Sequence, residues 1–176
     1  MTLLAIVVLA AIAVVAVALS LMRIGRRCER PRADEVHMVV TPDQWQIRVC
    51  RYRATTSPGE PVFLCHGFMS NQFSFALPAG RGLVDALCES GYDCWVVDLR
   101  GDLSSIPAPG STLDDPTLDD HLLRDIPSVI EFIRNATGHS KVHWIGHSMG
   151  GMLLYAYDLV FGTEALASGT TDATRA

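Results

Sequence analysis

The sequence lacks a block of basic residues, and its formal net charge is -5 at pH 7 over 176 residues. Proteins that bind nucleic acid usually concentrate positive charge where it can neutralise phosphates. The arginines that do cluster, between Arg23 and Arg32, follow directly after an apolar segment. We therefore exclude nucleic acid as the main partner of this chain.

The sequence also lacks a C-x-x-C pair and any close cluster of cysteine and histidine, which are the usual arrangements of metal ligands. Its cysteines are odd in number and scattered, mostly within apolar stretches: Cys28, Cys50, Cys65, Cys88 and Cys94. This spacing is untypical of a disulfide framework and indicates reduced, mainly structural thiols. We expect no metal ion and no cofactor.

Charged residues are absent between Leu3 and Met22, and this stretch consists almost entirely of Leu, Ile, Val and Ala. About twenty such residues suffice for a helix that crosses a bilayer. A secretory signal is the alternative, but no Lys or Arg precedes the run, which exceeds the usual signal core of about 7–15 residues. Residues 1–22 are therefore predicted to be a transmembrane anchor and residues 23–35 a basic linker. The arginines after the span favour a cytoplasmic globular part.

Beyond the linker, the sequence alternates predicted strands and helices, which predicts a mainly parallel sheet flanked by helices. The strands are predicted at 36–40, 46–52, 61–65, 92–97 and 142–145. One helix is expected to end before Gly91, and a longer one near Gly138 with a kink at Pro127. The folded domain is predicted to span residues 36–162. Residues 163–176 are small and polar and are predicted to be a tail that need not be ordered.

A glycine-rich turn, GHSMGG at 146–151, separates the last predicted strand from a helix. It matches G-x-S-x-G, the nucleophile elbow, in the context of strand and helix that this motif requires. Gly146 and Gly150 would leave room for a strained serine between the two elements. The hydroxyl of Ser148 would then lie at a helix N-terminus, where unpaired N–H groups favour an oxyanion. Ser148 is the predicted nucleophile, and the N–H of Met149 a predicted oxyanion donor.

Two other interpretations of the turn are open. A serine between glycines is a common turn residue, and a glycine-rich turn between strand and helix can bind phosphate. A Walker loop, however, requires a lysine before its Ser or Thr, and the spacing G-x-G-x-x-G is absent.

Three motifs in this order, HGF at 66–68, DLRG at 98–101 and GHSMGG at 146–151, resemble those of the α/β-hydrolase family. Each lies at the end of a predicted strand, and the resemblance extends over about 36–161. GYDCWVVDLRG and DIPSVIEFI look most similar to the acid-lipase-like branch. The resemblance implies the N-terminal half of an α/β-hydrolase fold, preceded by one transmembrane helix. It also implies hydrolysis of small-molecule or lipid esters through an acyl-enzyme on Ser148.

The same resemblance assigns roles to residues of the earlier strand ends. The backbone N–H of Phe68 would be a second oxyanion donor beside that of Met149. Three residues are expected to line or support the binding pocket rather than transfer protons: His66, Gly67 and His147. Asp98 is expected to be structural. The apolar residues after Gly67 indicate either a pocket wall or ordinary core: Phe68, Met69, Phe73 and Phe75.

The sequence departs from the family pattern after the elbow. In this family an acid and then a histidine follow the nucleophile along the chain. No histidine follows Ser148, and the acids that do are Asp158, Glu164 and Asp172. We therefore expect a chain truncated after its nucleophile half. The hypotheses are a membrane-anchored serine hydrolase, an inactive fragment or pseudoenzyme that only binds, and a membrane-tethered interaction module.

Overall fold

The computed structural model describes residues 33–55, 59–77, 82–112 and 116–172. The predicted membrane span, Leu3 to Met22, lies outside these ranges, as does most of the predicted linker. Within them, every helix is too short or too polar to traverse a bilayer.

A six-stranded sheet organises the described residues, with the strands in the order β1-β2-β4-β3-β5-β6. The strands are β1 Glu35–Val40, β2 Gln46–Tyr52, β3 Pro61–Cys65, β4 Asp93–Asp98, β5 Val142–His147 and β6 Leu166–Asp172. Strands β1 and β2 form an antiparallel hairpin, and β2 is also antiparallel to β4. Strands β4, β3, β5 and β6 are mutually parallel. The predicted mainly parallel α/β architecture is confirmed.

Three helices flank the sheet: α1 Leu83–Glu89, α2 Ile126–Thr137 and α3 Met149–Phe161. Strands β3 and β4 are buried along their whole length, as expected of continuous apolar runs in a parallel sheet. On one side the core contains the edge-to-face pair Phe63 and Trp144, at 4.9 Å between ring centroids, with Ile130 and Leu153. On the other side α1 covers a second core that includes Phe75.

The helix that ends in α2 contains a π turn. One α-helical turn, Leu118–Asp120, leads into His121–Asp125, where the N–H of Ile126 bonds the carbonyl of His121. Pro127 has no N–H to bond the carbonyl of Leu123, so regular α-helical hydrogen bonding cannot continue across this point. The structure thus has a π turn just before Pro127, where the sequence predicts a kink. The helix ends at Gly138, with φ 74°, as predicted.

Strand β6 corrects the prediction of a tail at 163–176, because it lies within that segment and pairs in parallel with β5. Leu166 is its one buried residue, and most of the strand is exposed. The sequence LASGTTD therefore carries almost no apolar signal. Pairing of its backbone with β5, rather than burial of its side chains, defines the strand.

Candidate active site

Ser148 lies at the sharp turn between β5 and α3, and its side chain is exposed at the carboxyl edge of the sheet. Its backbone angles are φ 51° and ψ -115°. A positive φ is costly for a residue with a side chain and is typical of functional turns. The turn thus has the strained geometry that the motif predicts.

Two glycines make this turn possible. A Cβ at Gly150 would stand 2.1 Å from the carbonyl oxygen of Cys65, and one at Gly146 would stand 2.4 Å from the carbonyl oxygen of Gly150. Both distances are far below van der Waals contact, so α3 can start this close to β3 and β5 only without those side chains. The first turn of α3 is thereby held beside the loop that follows β3.

The loop after β3 approaches the elbow directly. A Cβ built on Gly67 would stand 3.1 Å from the Cβ of Ser148. Met149 is the first residue of α3, so its N–H has no acceptor within the helix. The structure therefore brings together Phe68, Ser148 and Met149, which the sequence assigns to the nucleophile and its oxyanion hole, and Gly67, which the sequence assigns to the pocket. Their catalytic roles remain predictions.

His66 connects two loops of the site and is buried. Its Nδ1 donates to the carbonyl oxygen of Gly67 at 2.7 Å, and its Nε2 accepts from the N–H of Leu99 at 3.1 Å. Burial lowers the pKa of the imidazole from its ordinary value. With both ring nitrogens engaged, His66 joins the loop after β3 to the end of β4.

Asp98, at the end of β4, is also structural, as expected. Its carboxylate accepts from the N–H of Gln72 at 2.7 Å and from Arg48 Nη1 at 2.6 Å. Arg48 lies in β2, and Gln72 lies in the segment that follows β3. Asp98 therefore fixes the loop at Gln72 against β2 and is not available for proton transfer.

A cavity of about 510 Å³ adjoins the elbow. Its wall includes Gly67, Phe68 and Met149, which are the neighbours of Ser148 in the loop and the helix. Further apolar residues in the wall are Met69, Leu99, Leu103, Pro116 and Leu118. Of the residues expected in a pocket wall or core, Phe68 and Met69 line the cavity, whereas Phe75 lies in the core. This cavity can hold an apolar chain next to the serine.

The structure gives Ser148 no catalytic partner among the described residues, because no side chain there hydrogen-bonds its hydroxyl. His147 lies next to it, and its Nδ1 is buried without a hydrogen-bond partner in the described part of the chain. A Cβ built on Gly67 would stand 3.1 Å from this nitrogen, so the ring of His147 lies against the loop after β3. That His147 lines or supports the pocket remains a prediction, and Asp158 in α3 and Glu164 after it are both exposed.

One charged cluster of the cavity wall was not anticipated. Arg100, in the DLRG motif, donates to Asp125 through Nη2 at 2.6 Å and to Asp43 through Nη1 at 2.8 Å. Its hydrogen bonds hold the pKa of the Asp43 carboxyl well below the usual range. Asp125 also accepts from His121 Nδ1 at 3.1 Å. The only sequence signal for this pair is the i, i+4 spacing of His121 and Asp125 on a predicted helix.

The described residues contain no group of three His, Cys, Asp or Glu side chains that could hold a metal ion.

Comparison with known proteins decides the family. Residues 60–175 match a family model described as "alpha/beta hydrolase fold". The chain belongs to the α/β-hydrolase family. Gastric triacylglycerol lipase of Bos taurus is 32% identical to this hydrolase over 130 residues, covering 66% of the chain and 32% of the lipase. Lipase member N of Homo sapiens is 30% identical over 129 residues, covering 66% of the chain and 32% of that protein.

Solved structures agree with the hydrolase fold. An esterase from Exiguobacterium antarcticum has a TM-score of 0.60 at 25% identity, covering 78% of this chain and 44% of that one. An epoxide hydrolase from Vigna radiata has a TM-score of 0.58 at 23% identity, covering 78% and 37%, and shows the fold alone. The chain spans about a third of the length of the lipases that it matches.

Proposed function

We propose that this α/β hydrolase is a serine ester hydrolase of the lipase and esterase type. The observation that carries the proposal is an exposed Ser148 with φ 51°, placed between a largely apolar cavity and the N-terminus of α3. Relatives whose sequences it resembles are named as lipases, and a solved neighbour is named as an esterase. Both kinds of enzyme act on carboxylic esters.

The proposed reaction has two steps. Oγ of Ser148 attacks the ester carbonyl carbon, and the backbone N–H groups of Phe68 and Met149 bind the oxyanion that forms. As Oγ attacks, its proton passes to a base, and the base gives this proton to the leaving alkoxide when the C–O bond to the alcohol breaks. Water then attacks the acyl-enzyme, releasing the carboxylic acid and restoring the hydroxyl. The shape of the elbow supports the roles proposed for Ser148 as nucleophile and for the two N–H groups as oxyanion donors.

The alternative function depends on whether Ser148 has a base that can take its proton. All six histidines of the sequence precede Ser148, whereas the family places its triad histidine after the nucleophile. The alternative function is a catalytically inactive hydrolase that only binds esters or a protein partner. A serine without its base loses several orders of magnitude in rate.

A fluorophosphonate probe tests the proposal, because it forms a covalent bond only with an activated serine. The natural full-length protein should be labelled at Ser148, as shown by peptide mass, and Ser148→Ala should abolish the label. Ser168→Ala is the matched control, because Ser168 is also exposed and hydrogen-bonds a histidine, His143, at 2.8 Å, yet is not at an elbow. Absence of labelling in folded protein would favour the inactive alternative.

We also propose that Leu3 to Met22 anchors the hydrolase in a membrane, with the globular part on the cytoplasmic side. The support is the length and apolar composition of the segment and the arginines that follow it. The wild-type chain should remain with membranes in alkaline carbonate, and a chain lacking residues 3–22 should be released. Protection of the globular part from protease in sealed, right-side-out vesicles would support the orientation, and digestion there would contradict it.

A further inference from the structure

The polar side chains in the cavity wall differ in whether other groups of the protein already hydrogen-bond them. His66 uses both ring nitrogens, and Arg100 is held by carboxylates. Asp102 accepts from the N–H of Ser104 at 2.7 Å and from Asn71 Nδ2 at 3.3 Å. Ser70 hydrogen-bonds Ser74 at 2.6 Å. Every polar side-chain atom of these four groups thus has a partner within the protein, and the oxygens of Asp102 and Ser70 keep further acceptor sites.

His121 is the exception. It lines the same cavity, is only 6% exposed, and its Nδ1 hydrogen-bonds Asp125 at 3.1 Å. Its Nε2 has no hydrogen-bond partner among the described residues. The cavity wall thus contains a buried imidazole with one nitrogen left for whatever occupies the cavity.

The partner of Nδ1 decides what Nε2 can do. An ionised carboxylate only accepts hydrogen bonds, so Nδ1 must carry the hydrogen in the contact with Asp125. In the neutral imidazole, Nε2 is then a hydrogen-bond acceptor. Asp125 is itself fixed by Arg100, which bonds it through Nε at 2.9 Å and Nη2 at 2.6 Å. The acceptor is therefore held in one tautomer and one orientation.

The surroundings of the acceptor are largely apolar, with Phe68, Met69, Leu118 and Met149 in the same wall. An apolar ligand that displaced water from Nε2 would leave the nitrogen without a hydrogen bond, which costs free energy. A ligand with a hydroxyl group would replace the water. Sites built to hydrogen-bond a hydroxyl discriminate against analogues without one.

We propose that this cavity selects esters with a free hydroxyl close to the ester group, and that the hydroxyl donates to Nε2 of His121. Partial esters of polyols and esters of hydroxy acids belong to this class. The inference rests on the proposed ester hydrolysis for the ester part of the ligand. The hydroxyl preference follows from His121 alone.

Two stable ethers test the preference without turnover. 2-(Hexyloxy)ethanol has a short apolar chain and a hydroxyl, and its methyl ether keeps both oxygens but has no donor. Binding would be measured with the full chain in nanodiscs, after subtraction of binding to empty nanodiscs. We expect the alcohol to bind about tenfold more tightly than the methyl ether, because one hydrogen bond of about 1.4 kcal/mol gives this ratio. The alcohol should also shift the Nε2 resonance of His121 in ¹⁵N spectra.

His121→Phe should bring the two dissociation constants to within about twofold of each other. If this variant does not fold, His121→Gln retains a polar side chain and should lower the ratio of the two dissociation constants. The comparison of the two ligands in the wild type is decisive by itself. Equal affinities in the wild type, a ratio unchanged in a folded variant, or no binding of the alcohol would each overturn the proposal. Equal affinities together with fluorophosphonate labelling of Ser148 would overturn only the hydroxyl preference. A tenfold preference without labelling would overturn only ester hydrolysis.

Discussion

The backbone N–H of Ser148 donates a hydrogen bond to the carbonyl oxygen of Asp172 at 3.3 Å. The last residue of β6 therefore fixes the backbone of Ser148, the candidate nucleophile. Along the chain, β5 ends just before Ser148 and α3 begins just after it. The exposed strand at the sheet edge is part of what positions the elbow.

Removal of residues 166–176 should therefore destabilise the domain and disturb the elbow. The deletion exposes the edge of β5 and leaves the N–H of Ser148 without its acceptor. We expect a lower midpoint of urea unfolding and loss of any fluorophosphonate label on Ser148. A chain lacking only 173–176 is the matched control and should keep the midpoint of the wild type. An unchanged midpoint in the longer deletion would show that β6 contributes no stability.

The strained backbone of Ser148 predicts a stabilising substitution. Glycine adopts positive φ without the steric cost that a side chain causes there, and the angles of Ser148 mirror an ordinary extended conformation. Ser148→Gly should be more stable than Ser148→Ala by about 1 kcal/mol, since both lack the hydroxyl and only alanine keeps the strain. The measurement is the free energy of unfolding in urea for both variants. Equal stability would mean that the elbow stores no strain.

His66 predicts a dependence of stability on pH. Burial lowers its pKa in the folded state, so below about pH 6.5 the unfolded chain takes up a proton that the folded chain does not. The free energy of unfolding should therefore fall as the pH falls through this range, with a limiting slope of about 1.4 kcal/mol per pH unit from this one group. His66→Gln removes the titrating group and should show a shallower slope between pH 7 and pH 5. Parallel curves for the two proteins would contradict the assignment.

The carboxylate of Asp125 is fully buried against Arg100, which is itself almost completely buried. Asp125→Ala leaves a buried guanidinium with one of its two main partners missing, and the loss of such a partner costs about 3–5 kcal/mol. Asp120→Ala is the comparison, because Asp120 lies 3.6 Å from Arg100 and is more exposed. It should cost about 1 kcal/mol, mainly through the helix cap at Thr117. Urea unfolding of both variants measures the difference.

The sequence predicts those parts of the fold that depend on local pattern. The run Pro61–Cys65 is apolar throughout and is a strand buried on both faces, and the turn around Ser148 follows from its glycines. The parts that it does not predict depend on distant partners. Strand β6 is nearly all exposed and is defined by pairing with β5, so LASGTTD resembles a tail. Likewise, His121 becomes a site residue only because Arg100, from another strand end, fixes Asp125.

The π turn at His121–Asp125 sets the place of one cavity residue relative to α2. A π turn contains one residue more than the α-helical turn that it replaces, and each residue of a helix changes direction by about 100°. Removing one residue between His121 and Asp125 would restore the α-helical spacing and rotate the preceding segment about the axis of α2. His121 would then leave its place beside Asp125, while Ile126 and the rest of α2 would stay packed against the sheet.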